Sequence, residues 1–308
     1  MSLHPAIRDI IERSQHEQLP SSLEEIEQLR SEYVKARHAS SMPEAIIASS
    51  EDLSAIDGER SVPIRVYTPK GTAPFPVIVY YHGGGFVVGD LETIDGFCRY
   101  LCYKSDAIVV SVDYRLAPEH PFPAAFEDAY VAAKWVATNA QQYGGEPKRL
   151  TLSGDSAGGN LAVGVMLNNQ LHNDFVVDAQ LLYYPWLLLN DQSDAHLVHG
   201  EGLNLTTAQL RWYESCYAPS QCWKANPLLG SAIGAPPSVI ITAEHDPLRD
   251  DGLRYAEQLQ VAGTKTVVHN YSRLVHSFIH MMNEVDEARE AVDTSITEWK
   301  HQRLKSYQ

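Results

Sequence analysis

The sequence predicts an α/β protein built on a mostly parallel sheet with helices on both faces. Three observations carry that prediction. Short continuous apolar runs recur, such as Val77–Tyr81 and Ile108–Val112, of the kind that suits strands buried on both faces. Stretches of helical periodicity separate these runs, so strands and helices alternate, which implies a parallel sheet with right-handed crossovers. Finally, Gly154-Asp155-Ser156-Ala157-Gly158 stands between an apolar strand (Arg149–Ser153) and a small-residue helix starting near Leu161, the setting of a very tight strand-to-helix turn.

Taken in order, residues 1–50 are expected to be helical, with Leu23, Ile26, Leu29 and Tyr33 at helical spacing and Ser22 with Glu25 as a capping box. Val62–Tyr67 alternates like a strand, and Asp57-Gly58 before it suits a hairpin turn. A helix from about Ile94 to Lys104 connects the runs Val77–Tyr81 and Ile108–Val112. Pro123 opens a helix in which Phe126, Ala129, Tyr130, Ala133 and Val136 share a face. After the tight turn and its helix come the runs Ala179–Tyr184, Ser238–Ala243 and Thr266–Tyr271. A helix ended by Gly263 lies between the last two, and a closing helix runs from about Asn283 to Leu304. The interval 186–237 has no clear buried strand. Residues 1–50 and 186–237 are therefore expected to form a helical cap over a core made of 51–185 and 238–308.

Composition narrows the function. The chain has 308 residues, 44% of them hydrophobic, and a formal charge of −15. Such an acidic chain lacks the clustered Lys and Arg that nucleic acid requires, and it is unsuited to anionic membrane surfaces. No stretch approaches the roughly 18 apolar residues of a membrane span, and the first residues lack the pattern of a signal peptide. Cys98, Cys102, Cys216 and Cys222 lack the spacing of a metal or redox site, so free thiols in a cytoplasmic protein are expected. No metal or organic cofactor is implied, and no membrane anchor. A homodimer stays open.

The chemistry centres on Ser156. A tight turn of this kind lifts the serine hydroxyl above the sheet and puts the Ala157 N–H at a helix start, where it can face a developing negative charge. A serine needs a base, and the base an orienting acid. In a parallel sheet both come from loops at the carboxyl ends of strands. Glu244, Asp246, Asp250 and Asp251 compete as the acid. Asp250 and Asp251 suit helix capping, and Asp246, stiffened by Pro247, is preferred. Among the histidines, His269 falls in a strand pattern and His280 in a helical one, so His276 is the expected base. The chain order Ser, acid, His is that of hydrolases. Independently, His82-Gly83-Gly84-Gly85-Phe86 follows a buried strand, and its glycines let backbone N–H groups converge on one point. With Ala157 they would form an oxyanion hole; the residues leave open which two glycines donate.

These motifs, together with Asp113-Tyr114-Arg115-Leu116-Ala117-Pro118-Glu119, Asp246-Pro247-Leu248-Arg249-Asp250 and His276-Ser277-Phe278, resemble the hormone-sensitive-lipase family of α/β-hydrolases. The resemblance runs from about Val62 to the C-terminal helix. It implies a carboxylesterase with the α/β-hydrolase fold, an eight-stranded mixed sheet and a helical cap, a triad of Ser156, Asp246 and His276, and oxyanion donors Gly84, Gly85 and Ala157. The chain departs from the family in having Ser277 where glycine usually follows the histidine, and in lacking the usual Gly-Met before it. His82 is expected to brace the glycine loop, Asp155 to hold the turn, and Asp113, Arg115 and Glu119 to fix loops through polar contacts. Phe86, Trp186 and Trp212 are expected at the substrate pocket. The expected substrate is a small neutral ester with a short-to-medium acyl chain. A lipase, an amidase on small amides, or a non-catalytic receptor like the plant gibberellin receptors are the rivals; the receptors lack the histidine present here as His276.

Overall fold

The structure is a computed structural model that describes residues 3–14, 19–39 and 42–304. Eight strands form one sheet: β1 (Ser49–Asp57), β2 (Arg60–Thr68), β3 (Phe75–Tyr81), β4 (Ile108–Val112), β5 (Gly145–Asp155), β6 (Ala179–Tyr183), β7 (Ser238–His245) and β8 (Thr266–Val275), in the order β1-β2-β4-β3-β5-β6-β7-β8. From β4 through β8 every neighbouring pair is parallel, and β2 is the strand that runs against the rest. Asp57 pairs with Arg60 across the expected hairpin turn, with Gly58 at φ +60°.

The helices are α1 (Pro5–Ser14), α2 (Leu23–Ala39), α3 (Leu91–Ser105), α4 (Ala124–Asn139), α5 (Ala157–His172), α6 (Asp194–His199), α7 (Thr207–Tyr217), α8 (Arg249–Val261) and α9 (Asp286–Leu304). Side chains alternate across the sheet, as the period of a strand requires. Val77, Val79 and Tyr81 join the core beneath α4, α5 and α8, whereas Ile78 and Tyr80 join the core beneath α3, α9 and α1. Helix α5 is buried on every side from Ala157 to Asn169, which explains why no stripe can be read in it. On the opposite face Trp299 of α9 is buried and donates from Nε1 to Thr151 Oγ1 at 3.0 Å.

Three expectations change. Strand β1 has no counterpart among the expected strands, because Ser49–Asp57 is an edge strand whose residues are almost all exposed and carry no apolar alternation. The cap at α2 extends beyond the expected pair: the Glu25 N–H donates to Ser22 Oγ at 3.2 Å, and the Glu25 carboxylate, besides the Ser22 backbone, takes the N–H and hydroxyl of Ser21. Helix α1 packs through Ile7 and Ile11 into the α3–α9 layer, whereas α2 overhangs the carboxyl ends of the strands. Among the described residues no helix is long and apolar enough to cross a membrane.

Trp299→Ala removes a buried indole and leaves Thr151 without its donor. Urea denaturation should show a loss of about 3–5 kcal/mol with an unchanged m-value; a loss below about 1 kcal/mol would contradict this packing.

Candidate active site

The turn between β5 and α5 is built on close approach. A Cβ on Gly158 would come within 1.9 Å of the Tyr81 carbonyl oxygen, so only glycine lets α5 start against the end of β3. Ser156 has φ 53° and ψ −120°, a strained conformation for a side-chain-bearing residue. It is held there by its own N–H donating to Tyr183 O (3.1 Å), and by its carbonyl accepting from the N–H groups of Asn160 (3.2 Å) and Trp186 (3.0 Å).

Ser156, His276 and Asp246, far apart in sequence, form one hydrogen-bonded line. His276 Nε2 is 2.9 Å from Ser156 Oγ, and His276 Nδ1 is 2.8 Å from Asp246 Oδ2. Asp246 follows β7 directly and is fully buried; its other oxygen accepts from the Leu248 N–H at 2.8 Å. With the carboxylate on the Nδ1 side, the imidazole is set as the tautomer whose Nε2 lone pair faces the hydroxyl. His276 follows β8 directly. Asn204 Nδ2 donates to its carbonyl at 2.9 Å, and Tyr184 packs edge-on against its ring at 4.7 Å. Neither contact has a sequence signature. Ser277 has φ 63°, the left-handed region that glycine enters freely. The departure from glycine there therefore keeps the backbone shape and adds local strain.

His82 braces the glycine loop, and Asp155, expected to hold the turn, reaches from the turn to that loop. Asp155 Oδ1 accepts from both the Gly83 N–H and the Tyr80 hydroxyl at 2.8 Å. Burial raises the carboxyl pKa of Asp155, against the lowering effect of these two donors. Burial likewise pushes the His82 imidazole down to about 4. Its Nδ1 lies 2.7 Å from Gly83 O, and its ring stacks on Tyr114. Arg115 forks onto Asp128, and Glu119 takes Arg30 of α2. Arg30 also donates to the carbonyls of Val87 and Ala117, pinning α2 to the glycine loop, a tie invisible in the sequence.

A cavity of about 500 Å³ opens onto Ser156, Gly84, Gly85 and His276. Trp186 lines it, joined by Leu29 and Tyr33 of α2 and Leu210 and Tyr213 of α7. Phe86 and Trp212 do not line it. Phe86 turns inward and stacks on Tyr217 at 3.8 Å. Trp212 points one residue away from the wall and donates from Nε1 to Pro20 O, so its neighbour Tyr213 takes the place expected for it.

A family model for the alpha/beta hydrolase fold matches residues 78–280. This chain belongs to the alpha/beta hydrolase fold family. It is 40% identical over 259 residues to "Esterase LipI" of Mycobacterium tuberculosis, covering 79% of each chain. It is 33% identical over 310 residues to "Ethyl acetate hydrolase" of Pseudomonas putida, covering 95% of this chain and 96% of the relative. A solved structure of a hyperthermophilic esterase from the archaeon Pyrobaculum calidifontis superimposes with a TM-score of 0.91 at 34% identity, over 99% of both chains.

Asp250 and Asp251, expected as helix caps, do other work. Asp250 accepts from the Ala195 N–H at 3.2 Å. Asp251 is buried in α8, and its Oδ2 accepts from the N–H groups of Leu187 (2.7 Å) and Leu188 (2.9 Å), fixing the segment that carries Trp186. Burial pushes the Asp251 carboxyl up to about 8. An unfolded carboxyl titrates near 3.9, so between about pH 4 and 8 the folded chain holds a proton that the unfolded chain has lost. Stability from this group is thus full below that window and falls as pH rises through it. Asp251→Asn, which stays neutral, should flatten this part of the curve of urea midpoint against pH; an unchanged slope would contradict it.

Proposed function

We propose that this carboxylic ester hydrolase is a serine esterase of the hormone-sensitive-lipase type, acting on small esters with short-to-medium acyl chains through an acyl-enzyme. The hydrogen-bonded line Ser156–His276–Asp246 carries the reading. In this mechanism His276 takes the Ser156 proton as Oγ attacks the ester carbonyl. Asp246 orients the imidazole and stabilises the imidazolium. The alcohol leaves with the proton returned by His276. Water, activated by the same imidazole, then cleaves the acyl-enzyme and releases the acid.

The oxyanion is assigned to the N–H groups of Gly84, Gly85 and Ala157. The Gly83 N–H is already given to Asp155, and Gly84 and Gly85 both face the cavity, which supports this choice among the three glycines. Donors of this kind are each worth roughly 3–4 kcal/mol in the transition state. Helices α2 and α7 act as the cap, a role supported by the side chains they contribute to the cavity wall. The cavity volume falls within the range of about 300–1,000 Å³ usual for small-molecule sites. We place the protein in the cytoplasm, in keeping with four unpaired cysteines.

Ser156→Ala should lower turnover about a million-fold, because triad members act as a unit. Initial rates on p-nitrophenyl esters from acetate to palmitate should peak at short or middle chains. Substantial hydrolysis by a clean Ser156→Ala preparation would overturn the nucleophile, and a maximum at long chains would favour a lipase.

A further inference from the structure

The residue after His276 holds a conformation that nothing in the local fold rewards. Ser277 has φ 63° and ψ 22°, in the left-handed region. Apart from glycine, that region is visited mainly by Asn and Asp, whose side chains bond to the nearby backbone. The Ser277 side chain makes no such bond. It caps nothing in the short helical turn Phe278–Met281, and its hydroxyl has no hydrogen-bond partner among the described residues. Its carbonyl does accept from the His280 N–H at 3.1 Å, but a glycine offers the same carbonyl without the strain. Ser277 is half-buried and lines the cavity together with His276 and Ser156. An uncompensated strained residue at such a place points to function rather than to folding.

Two further polar side chains line the same cavity, Asn204 and Gln209, both half-buried. Each is held by one end of its amide. Asn204 Nδ2 donates to the His276 carbonyl at 2.9 Å, which leaves Oδ1 as an acceptor. Gln209 Oε1 accepts from the N–H (2.8 Å) and the hydroxyl (3.1 Å) of Thr206, which leaves Nε2 as a donor. A hydroxyl, an amide oxygen and an amide nitrogen together offer donors and acceptors, and none of them is charged. Their chemical match is a neutral hydroxyl, which both donates and accepts. The side of the ester follows from the proposed mechanism. His276 returns its proton to the leaving oxygen, so the alcohol lies toward His276 and its neighbours, while the carbonyl oxygen lies toward Gly84 and Gly85. We infer that Ser277, with Asn204 and Gln209, forms a polar subsite for the alcohol, which favours esters whose alcohol keeps a free hydroxyl, such as monoesters of short diols. The inference rests on Ser156 and His276 acting as proposed above. Hydrolysis is otherwise the same: the ester C–O bond breaks, the leaving oxygen takes the proton from His276, water is consumed in releasing the acid, and the diol departs.

The test compares two butyrates of matched size, 2-hydroxyethyl butyrate and propyl butyrate, by titrating the acid released. Both yield the same butyryl-enzyme, so a difference in kcat/KM arises while the alcohol is still bound. In the wild type the hydroxylated-to-alkyl ratio should exceed the ratio of the two esters' hydrolysis rates in plain hydroxide; a ratio no higher than that overturns the inference. Ser277→Ala removes the hydroxyl and keeps the Cβ. It should lower the ratio about threefold to tenfold, as expected for one lost neutral hydrogen bond. A purely structural role for Ser277 would lower both butyrates together, and an unchanged ratio overturns the inference while leaving the esterase reading intact. Ethyl 3-hydroxybutyrate and ethyl butyrate carry the comparison to the acyl side, where the ratio should hold. An acyl-side ratio that falls as much or more overturns the assignment to the alcohol. Should Ser277→Ala fail to fold, Ser277→Gly, which suits φ 63°, decides by the same ratios. Turnover that survives Ser156→Ala would instead remove the nucleophile, and this inference with it.

Discussion

The contact on which the site depends is the approach of Gly158 to the carbonyl of Tyr81. It presses the start of α5 against the end of β3, closer than any side chain would allow. Two features follow from this one contact. The turn must be tight, which forces Ser156 into its strained conformation and lifts its hydroxyl clear of the sheet. The chain leaving β3 must also begin its glycine loop beside that turn, so Asp155 can take the Gly83 N–H and tie loop and turn together. The proposed nucleophile and the proposed oxyanion donors thus belong to one rigid unit rather than two loops that meet by chance. Preorganisation of this kind is what lets backbone N–H groups stabilise a developing charge without first reorganising.

Strand order does the rest. β5, β6, β7 and β8 are parallel neighbours, so their carboxyl ends lie side by side along one edge. Ser156 follows β5, Asp246 follows β7 and His276 follows β8, which brings together groups from distant parts of the chain. The intervening strand, β6, ends at Tyr183, and the residue after it packs against the His276 ring. Above this edge α2 is held by Arg30 on the glycine loop, and α7 is tied to Pro20 through Trp212.

What could be read in the sequence was whatever a short window determines. Strands buried on both faces appear as unbroken apolar runs, and the glycines of the turn and loop stand out because their backbone geometry excludes other residues. Ser156, Asp246 and His276 could be proposed from chain order and strand ends. What a short window does not determine depends on distant partners. β1 is an edge strand of polar, exposed residues, and only its pairing with β2 makes it a strand. Asp251 looks like a helix cap until the backbone of Leu187 and Leu188 is seen to reach it. Trp212 and Tyr213 are neighbours on α7, and helical rotation alone decides which faces the cavity. Phe86 follows the glycine loop but turns inward at φ 65° onto Tyr217.

The central claim is that Ser156 forms a covalent acyl-enzyme. It is tested most directly by treating the protein with a p-nitrophenyl alkylphosphonate, which traps an activated serine as a stable adduct, and mapping the adduct by peptide mass spectrometry. One equivalent should release p-nitrophenol stoichiometrically and label the peptide containing Gly154–Asn160 on Ser156, with loss of ester turnover in proportion to labelling. Labelling at another residue that abolishes turnover, or full turnover with Ser156 modified, would contradict the proposed mechanism.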